Sequence, residues 1–259
     1  MPLEPFNLGL RMAGGFDSDA LTAFTAVESA GGTLTGAQKT ALNTAVLSMK
    51  AASIWTKLYA WFPIVGASAA AHSIDYKSAT AKVTSVNSPT HSASGIKSNG
   101  TTSYCATNFV PAVLGATGSF GCSLKEPRTG GNKVVIGSNS GTQIFRSYLG
   151  GDSNTYHYFG ATEYTTAAGT GAGNHAVVRG SSTSLKSMLN GAVTNTVTAS
   201  VTVGSSAYNF NLLADNVAGA AALFTDHFCT QFWFGIAMSV AEITTLNGII
   251  TTLETALGR

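Results

Sequence analysis

The sequence predicts a mainly β chain: a β-sandwich preceded by a small helical segment and closed by a C-terminal helix. Three observations predict this class. From Ile64 onward, short alternating or β-branched runs are separated by Gly, Asn, Pro and Ser, the pattern of short strands and turns. Before Ile64 the apolar residues recur at helical spacing behind capping residues. After Phe234 a capped helical stripe returns.

At 259 residues the chain is long enough to bury a sizeable core. Charged residues make up only 10% and the formal net charge is +2. That excludes the basic footprint of a nucleic-acid binder. No run reaches the roughly 18 apolar residues a membrane span needs, so no membrane insertion is expected. The polar surface must come from Ser, Thr, Asn and Gly. The three cysteines, Cys105, Cys122 and Cys229, are odd in number and form no spaced framework, so they are expected as buried, reduced thiols. Residues 1–16 show no basic region followed by a long apolar one, so no secretory leader is expected and synthesis is assigned to the cytoplasm.

Residues 1–16 read as an arm, either ordering on a partner or frayed. Asp17 or Ser18 caps a helix to about Ser29, with Leu21, Phe24 and Val27 on one stripe, and Gly31-Gly32 stops it. Thr35 and Gln38 form a capping box for a second helix to about Ala52, with Leu42, Val46 and Met49 on one face. Ile54 to Trp61 reads as a third short helix, ended by Pro63. Its aromatic cluster, Trp55, Tyr59, Trp61 and Phe62, reads as core before it reads as a ligand platform. The expected organisation is therefore an arm at 1–16, a helical segment at 17–62 and a sandwich with a C-terminal helix at 63–259.

Within the sandwich, strands are expected over Lys82–Val86, Phe120–Leu124, Lys133–Gly137, Thr142–Leu149, Tyr156–Phe159, His175–Arg179, Leu185–Leu189, Val193–Val197, Val201–Val203, Tyr208–Leu213 and Phe228–Gly235. Residues Ala167–Asn174 read as a glycine-rich loop. Asn99-Gly100 and Asn190-Gly191 read as hairpin-type turns. After the first of these, Tyr104, Ala106 and Phe109 alternate with Ser103, Cys105 and Thr107, the period-2 pattern of a half-buried strand. Ser239 and Glu242 make a second capping box, Met238 and Ile243 a hydrophobic staple, and Ile243, Leu246, Ile250, Leu253 and Leu257 one stripe ending at Gly258.

The stretch Gly95–Pro111, with its Asn-Gly-Thr turn, aromatic and strand, resembles an early strand of concanavalin A-like (laminin G-like) jelly rolls. The order of elements from Tyr59 to Arg259 is similar to the rest of that fold. The segment AWFPIVGASAAAHSIDYK resembles a recurring segment of bacteriophage virion proteins, matching at Pro63, Val65, Gly66, His72 and Lys77. Ile74-Asp75-Tyr76 departs from it, since a neutral pair is expected before the lysine. Ile54-Trp55-Thr56-Lys57, Thr90-His91 and the ending Leu257-Gly258-Arg259 fit the same family. The resemblance implies a bacteriophage virion structural protein carried on the particle surface as a head decoration, fibre or tail component. It implies packing against identical copies, with a homotrimer as first expectation, or against other virion proteins.

Little in the sequence points to catalysis. There is no G-x-S-x-G elbow. Glu126 and Glu163 stand apart from any carboxylate partner at glycosidase spacing. The five histidines, His72, His91, His157, His175 and His227, show no metal-ligand spacing, and no cofactor is implied. Asp152 and Asp215 are loop candidates for a calcium ion but read first as solvated turn residues. The expectation is a non-enzymatic protein. The alternative function is a lectin-like module that reads host-surface glycans by stacking sugar rings on exposed aromatics. Tyr156, Tyr158 and Tyr164, with Asn154 and His157, are the candidates for that platform. The competing reading has these tyrosines covering a sheet edge.

Overall fold

The computed structural model describes residues 15–126, 131–150, 154–160, 163–166 (backbone only), 172–181, 183–198 and 206–259. Both capping boxes form as the sequence predicts. Helix α1 spans Ser18–Ser29, with the Asp17 side chain accepting from Asp19 N. Helix α2 spans Gly36–Ala51 behind Thr35 and Gln38. A single turn, α3, spans Ala69–His72. Helix α4 spans Val240–Ala256 behind Ser239 and Glu242.

The expected third helix at Ile54–Trp61 does not form. Only Trp55–Lys57 makes a 3-10 turn, and Leu58–Phe62 is a strand paired with Cys229–Gly235. The residues explain it. Period-2 alternation sends Ala60 and Phe62 into one core and Trp61 into another. The sheet thus begins before residue 63. Trp55, Trp61 and Phe62 are buried core and Tyr59 is exposed.

Two sheets pack face to face. One holds eight strands in the order Ala192–Val197, Ser184–Leu189, Gly173–Ser181, Gly118–Leu124, Cys229–Gly235, Gly95–Lys97 and Thr90–Ser92, with Leu58–Phe62 joining Cys229–Gly235 from the side. The other holds nine and runs Glu163–Thr166, Thr155–Gly160, Ile144–Leu149, Lys133–Asn139, Asn211–Leu212, Tyr104–Thr107 and Val83–Val86, with Asp215–Val217 and Ala220–Ala222 attached beside Lys133–Asn139. Between them lies a phenylalanine-rich core in which Phe210 sits 4.8 Å from Phe234 and Phe145 sits 5.1 Å from Phe159.

A second core lies on the far side of the eight-stranded sheet. There α1, α2 and α4 pack on Ala176, Val178, Met188 and Trp233, with Trp61 and Tyr76 between them. This explains why Cys229–Gly235 is apolar on both faces. It is covered by the sandwich on one side and by helices on the other.

One turn expectation is corrected here. Asn99-Gly100 does turn the chain, but it carries Gly95–Lys97 of one sheet across to Tyr104–Thr107 of the other and makes no hairpin. The Asn99 Oδ1 accepts from the N–H groups of Thr101, Thr102 and Ser103, which holds the crossover. In the strand that follows, the period-2 alternation holds, with Cys105 and Thr107 facing inward and Tyr104 and Ala106 outward. The Thr107 hydroxyl can be buried because it donates to Phe210 O at 2.7 Å. Asn190-Gly191, by contrast, closes a true hairpin, with φ of 51° and 79°. Val201–Val203 and residues 167–171 of the glycine-rich loop lie outside the described residues.

All three thiols are free and buried. Burial pushes Cys105 and Cys122 up to about 12 and Cys229 well above its ordinary value.

Candidate functional site

The helices sit on one sheet, so the outer face of the nine-stranded sheet is where side chains can meet a ligand. Strands Ile144–Leu149 and Thr155–Gly160 decide its character. Cross-strand pairs Phe145↔Phe159, Ser147↔His157 and Leu149↔Thr155 point into the sandwich. The intervening pairs, Arg146↔Tyr158 and Tyr148↔Tyr156, therefore point outward.

These four side chains form one ladder. The Arg146 guanidinium lies 4.3 Å from the Tyr158 ring centroid and 5.0 Å from that of Tyr148. Tyr148 in turn sits 5.6 Å from Tyr156, the rings tilted by 53°. Tyr158 is buried beneath the arginine's contact, while Tyr148 and Tyr156 are half-buried.

Arg146 is held from the other side by Asp215, whose Oδ2 accepts from Nη1 at 2.9 Å. Asp215 is fully buried, so its carboxyl is raised by loss of water, and Arg146 pulls it only part of the way back. The same carboxylate and a bond to Tyr158 raise Arg146, outweighing the opposite effect of its own burial. Asp215, expected as a solvated turn residue or a calcium ligand, is instead fully buried at the start of a strand, with its Oδ2 taken by the Arg146 guanidinium. Asp152 lies outside the described residues, and among the described residues no group of three or more His, Cys, Asp or Glu is placed to hold a metal ion.

Gly137 makes this pairing possible. It sits beside Arg146 across the strands, and a Cβ there would collide with the Asp215 carboxylate and lie 2.7 Å from Asp215 Cα. Gly137→Ala is expected to cost about 1–3 kcal/mol of stability, an overpacking effect. Urea unfolding reads it, and an unchanged midpoint would contradict the arrangement.

The five residues picked from sequence separate. Tyr156 and Tyr158 share the outer face. His157 does not: it points into the sandwich, fully buried, with Nδ1 2.9 Å from the Ser147 hydroxyl and its ring 6.2 Å from that of His175. Adjacent strand residues face opposite ways, so a run Tyr-His-Tyr cannot offer all three to one ligand. Asn154 precedes the strand and is half-buried. Tyr164 lies on Glu163–Thr166, in register with His157, and its side chain is outside the described residues. Arg146 and Tyr148 were not singled out, and Asp215 was named only as a calcium candidate. The first two could have been found by folding Ile144–Leu149 back on Thr155–Gly160, whereas Asp215 is 69 residues from its partner.

No family model matches the sequence, and no curated protein matches it. Solved structures do match its fold. A Trypanosoma rangeli sialidase mutant displaying trans-sialidase activity aligns with a TM-score of 0.55 at 12% identity, over 83% of this chain and 39% of the sialidase. Domain 4 of AbnA, a GH43 extracellular arabinanase from Geobacillus stearothermophilus, seen in complex with arabinotriose, aligns at 0.54 and 16% identity, over 73% of this chain and 98% of that domain. The botulinum neurotoxin serotype D binding domain aligns at 0.56 and 10% identity, over 76% and 52%. At such identities the likeness speaks for the fold alone, a jelly-roll-like β-sandwich with helices at both ends.

Proposed function

We propose that this chain is a non-enzymatic, lectin-like module that binds glycans on the outer face of its nine-stranded sheet. One observation carries the reading. Two half-buried tyrosine rings, Tyr148 and Tyr156, stand 5.6 Å apart on a sheet face opposite the helices, beside a guanidinium locked by a buried carboxylate. Sugar rings stack their apolar faces on such aromatics while neighbouring polar groups orient the hydroxyls. Arg146 is fixed before any ligand arrives, so little ordering is left to oppose binding. An arabinanase domain solved with arabinotriose and a toxin binding domain among the fold neighbours support this reading.

The test is a glycan array followed by titration of the best hit. Tyr148→Ala and Tyr156→Ala are each expected to weaken binding about two- to tenfold, an aromatic contact of roughly 0.5–1.5 kcal/mol. A glycan bound equally well by both variants would place the site elsewhere. Measurable hydrolysis of the bound glycan would overturn the non-enzymatic part.

The particle-surface role implied by the sequence resemblance is a second proposal. It rests on the segments at Pro63–Lys77 and Leu257–Arg259, which meet one another in the fold. Arg259 Nη2 donates to Pro63 O at 2.9 Å, Arg259 Nη1 to Ile64 O at 2.8 Å, and the Gly66 carbonyl lies 3.0 Å from His72 Nε2. Those residues join helices to sandwich, so their likeness to virion proteins concerns architecture and leaves the ligand to the tyrosine face. Antibody labelling of intact particles tests this reading.

A further inference from the structure

Helices α2 and α4 leave between them an open groove of about 650 Å³ on the side away from the sandwich. Its walls are Ala41, Thr44 and Ser48 from α2 and Gly248, Ile249 and Thr252 from α4, and no charged side chain lines it. Exposed helix faces normally carry charge. The threonine hydroxyls here donate back to their own helices, Thr44 to Thr40 O and Thr252 to Gly248 O, so they turn methyl groups and free lone pairs outward. Such walls offer apolar contact together with hydrogen-bond acceptors, which suits a length of backbone with its N–H groups.

We propose that residues 1–14 of the same chain dock in this groove. Three observations select this occupant. First, the described chain starts on α2: Asp17 N donates to Asn43 Oδ1 at 2.7 Å, and the Asp17 carboxylate pairs with Lys50 at 2.6 Å. Leu47, 47% exposed, lies one turn beyond Asn43 and next to Thr44 and Ser48, on the way from that anchor to the groove. Second, the segment is long enough. Fourteen extended residues reach about 46–50 Å, and a helix the length of α2 is about 24 Å long. Third, its sequence fits. Phe6, Leu8, Leu10 and Met12 fall at every second position, one edge of an extended chain, and Glu4 and Arg11 are its only charges. Tethering at Asp17 favours the chain's own segment over that of another copy through effective concentration.

The test uses the full chain and its single arginine within the segment. Trypsin cleavage after Arg11 is followed by intact mass in the wild type and in Gly248→Trp, which fills the groove. Gly248 is exposed and a Cβ there meets open space, so the variant is expected to fold; Thr44→Lys, also at an exposed position, is the second variant. Cleavage is expected to be about tenfold faster in both variants, because proteolysis tracks the open population. In parallel, a benzoyl-phenylalanine at Leu8 is expected to cross-link to peptides from 36–51 or 240–256 of the same chain. Equal cleavage rates, cross-links to the sandwich, or cross-links only between copies would overturn the proposal.

Discussion

Arg259→Ala is expected to lower the unfolding free energy by about 3–5 kcal/mol, the cost of breaking a buried, hydrogen-bonded ion pair from one side. The side chain is 3% exposed and makes contacts across four segments. Its Nε donates to Glu254 Oε2 at 2.7 Å, Nη1 to Ile64 O at 2.8 Å and Ala93 O at 3.3 Å, and Nη2 to Pro63 O at 2.9 Å and Thr230 O at 3.2 Å. Glu254 accepts in addition from Gln231 Nε2, and Gln231 Oε1 accepts from the Trp61 indole, both at 2.9 Å. One guanidinium thus ties α4 to the late strand, to the loop after the first strand and to the turn at Ala93. Removing it takes from Glu254 its charge partner, leaving it the Gln231 bond, and takes this donor from four carbonyls. Urea unfolding gives the value, and Arg259→Lys separates charge from geometry. Lysine keeps the charge but has no planar fork, so it is expected to recover less than half of the loss. A fully stable alanine variant would show that the network contributes no net stability.

Acid is expected to unfold this protein earlier than its carboxylates alone would dictate. Burial holds His72 down to about 4, with His91 and Arg259 adding to it, and holds His157 down to about 3. Their hydrogen bonds require neutral rings. His72 Nε2 donates to Gly66 O, so its Nδ1 must accept from His91 Nδ1, 2.9 Å away, and His91 Nε2 in turn accepts from the Ser85 hydroxyl. Both folded-state values lie below the unfolded value near 6.5. The unfolded chain therefore binds protons that the folded one refuses. Stability is full above about pH 6.5 and falls as the pH drops toward 4, by about 1.4 kcal/mol per unit for each group. Over that window His72 alone accounts for about 3 kcal/mol, and His157 goes on contributing down to about 3. Asp75 and Asp215, raised by burial, act in the opposite direction because the folded state takes up their protons first. Urea midpoints between pH 7 and 4 measure the net slope, and His157→Asn should flatten its lower part. A midpoint independent of pH over that range would refute the assignment of neutral buried rings.

The departure from the virion-protein pattern at Ile74-Asp75-Tyr76 has a physical explanation. The Asp75 Oδ1 accepts from Trp61 N at 2.9 Å and Lys77 N at 3.0 Å, and Oδ2 accepts from the Ser78 hydroxyl at 2.6 Å. It completes the backbone bonding of the strand that the sequence reading took for a helix. Tyr76 beside it packs 5.7 Å from Trp61 and 6.4 Å from Phe24, closing the helical core. Both residues are legible only once the strand at Leu58–Phe62 is known.

What the sequence determined by itself was local. Capping boxes, the Asn190-Gly191 hairpin, the stripes of α2 and α4 and the bounds of most strands follow from hydrogen bonds and periodicities that close within a few residues, whereas Leu21, expected on the buried stripe of α1, is 51% exposed and Ala20 and Ala23 take its place. The tertiary structure decided which face of each strand is covered and which distant residues meet. Leu58–Phe62 has helical spacing in isolation and becomes a strand because Cys229–Gly235 offers it an edge. Tyr148 joins Tyr156 through a register that only the paired strands set, and His157 leaves the candidate site by the same alternation. Asp215 reaches Arg146 because Gly137 leaves room, and Arg259 reaches Pro63 across 196 positions of sequence. Such contacts depend on the summed packing of two sheets and a helical layer, and that information is absent from any short window of the chain.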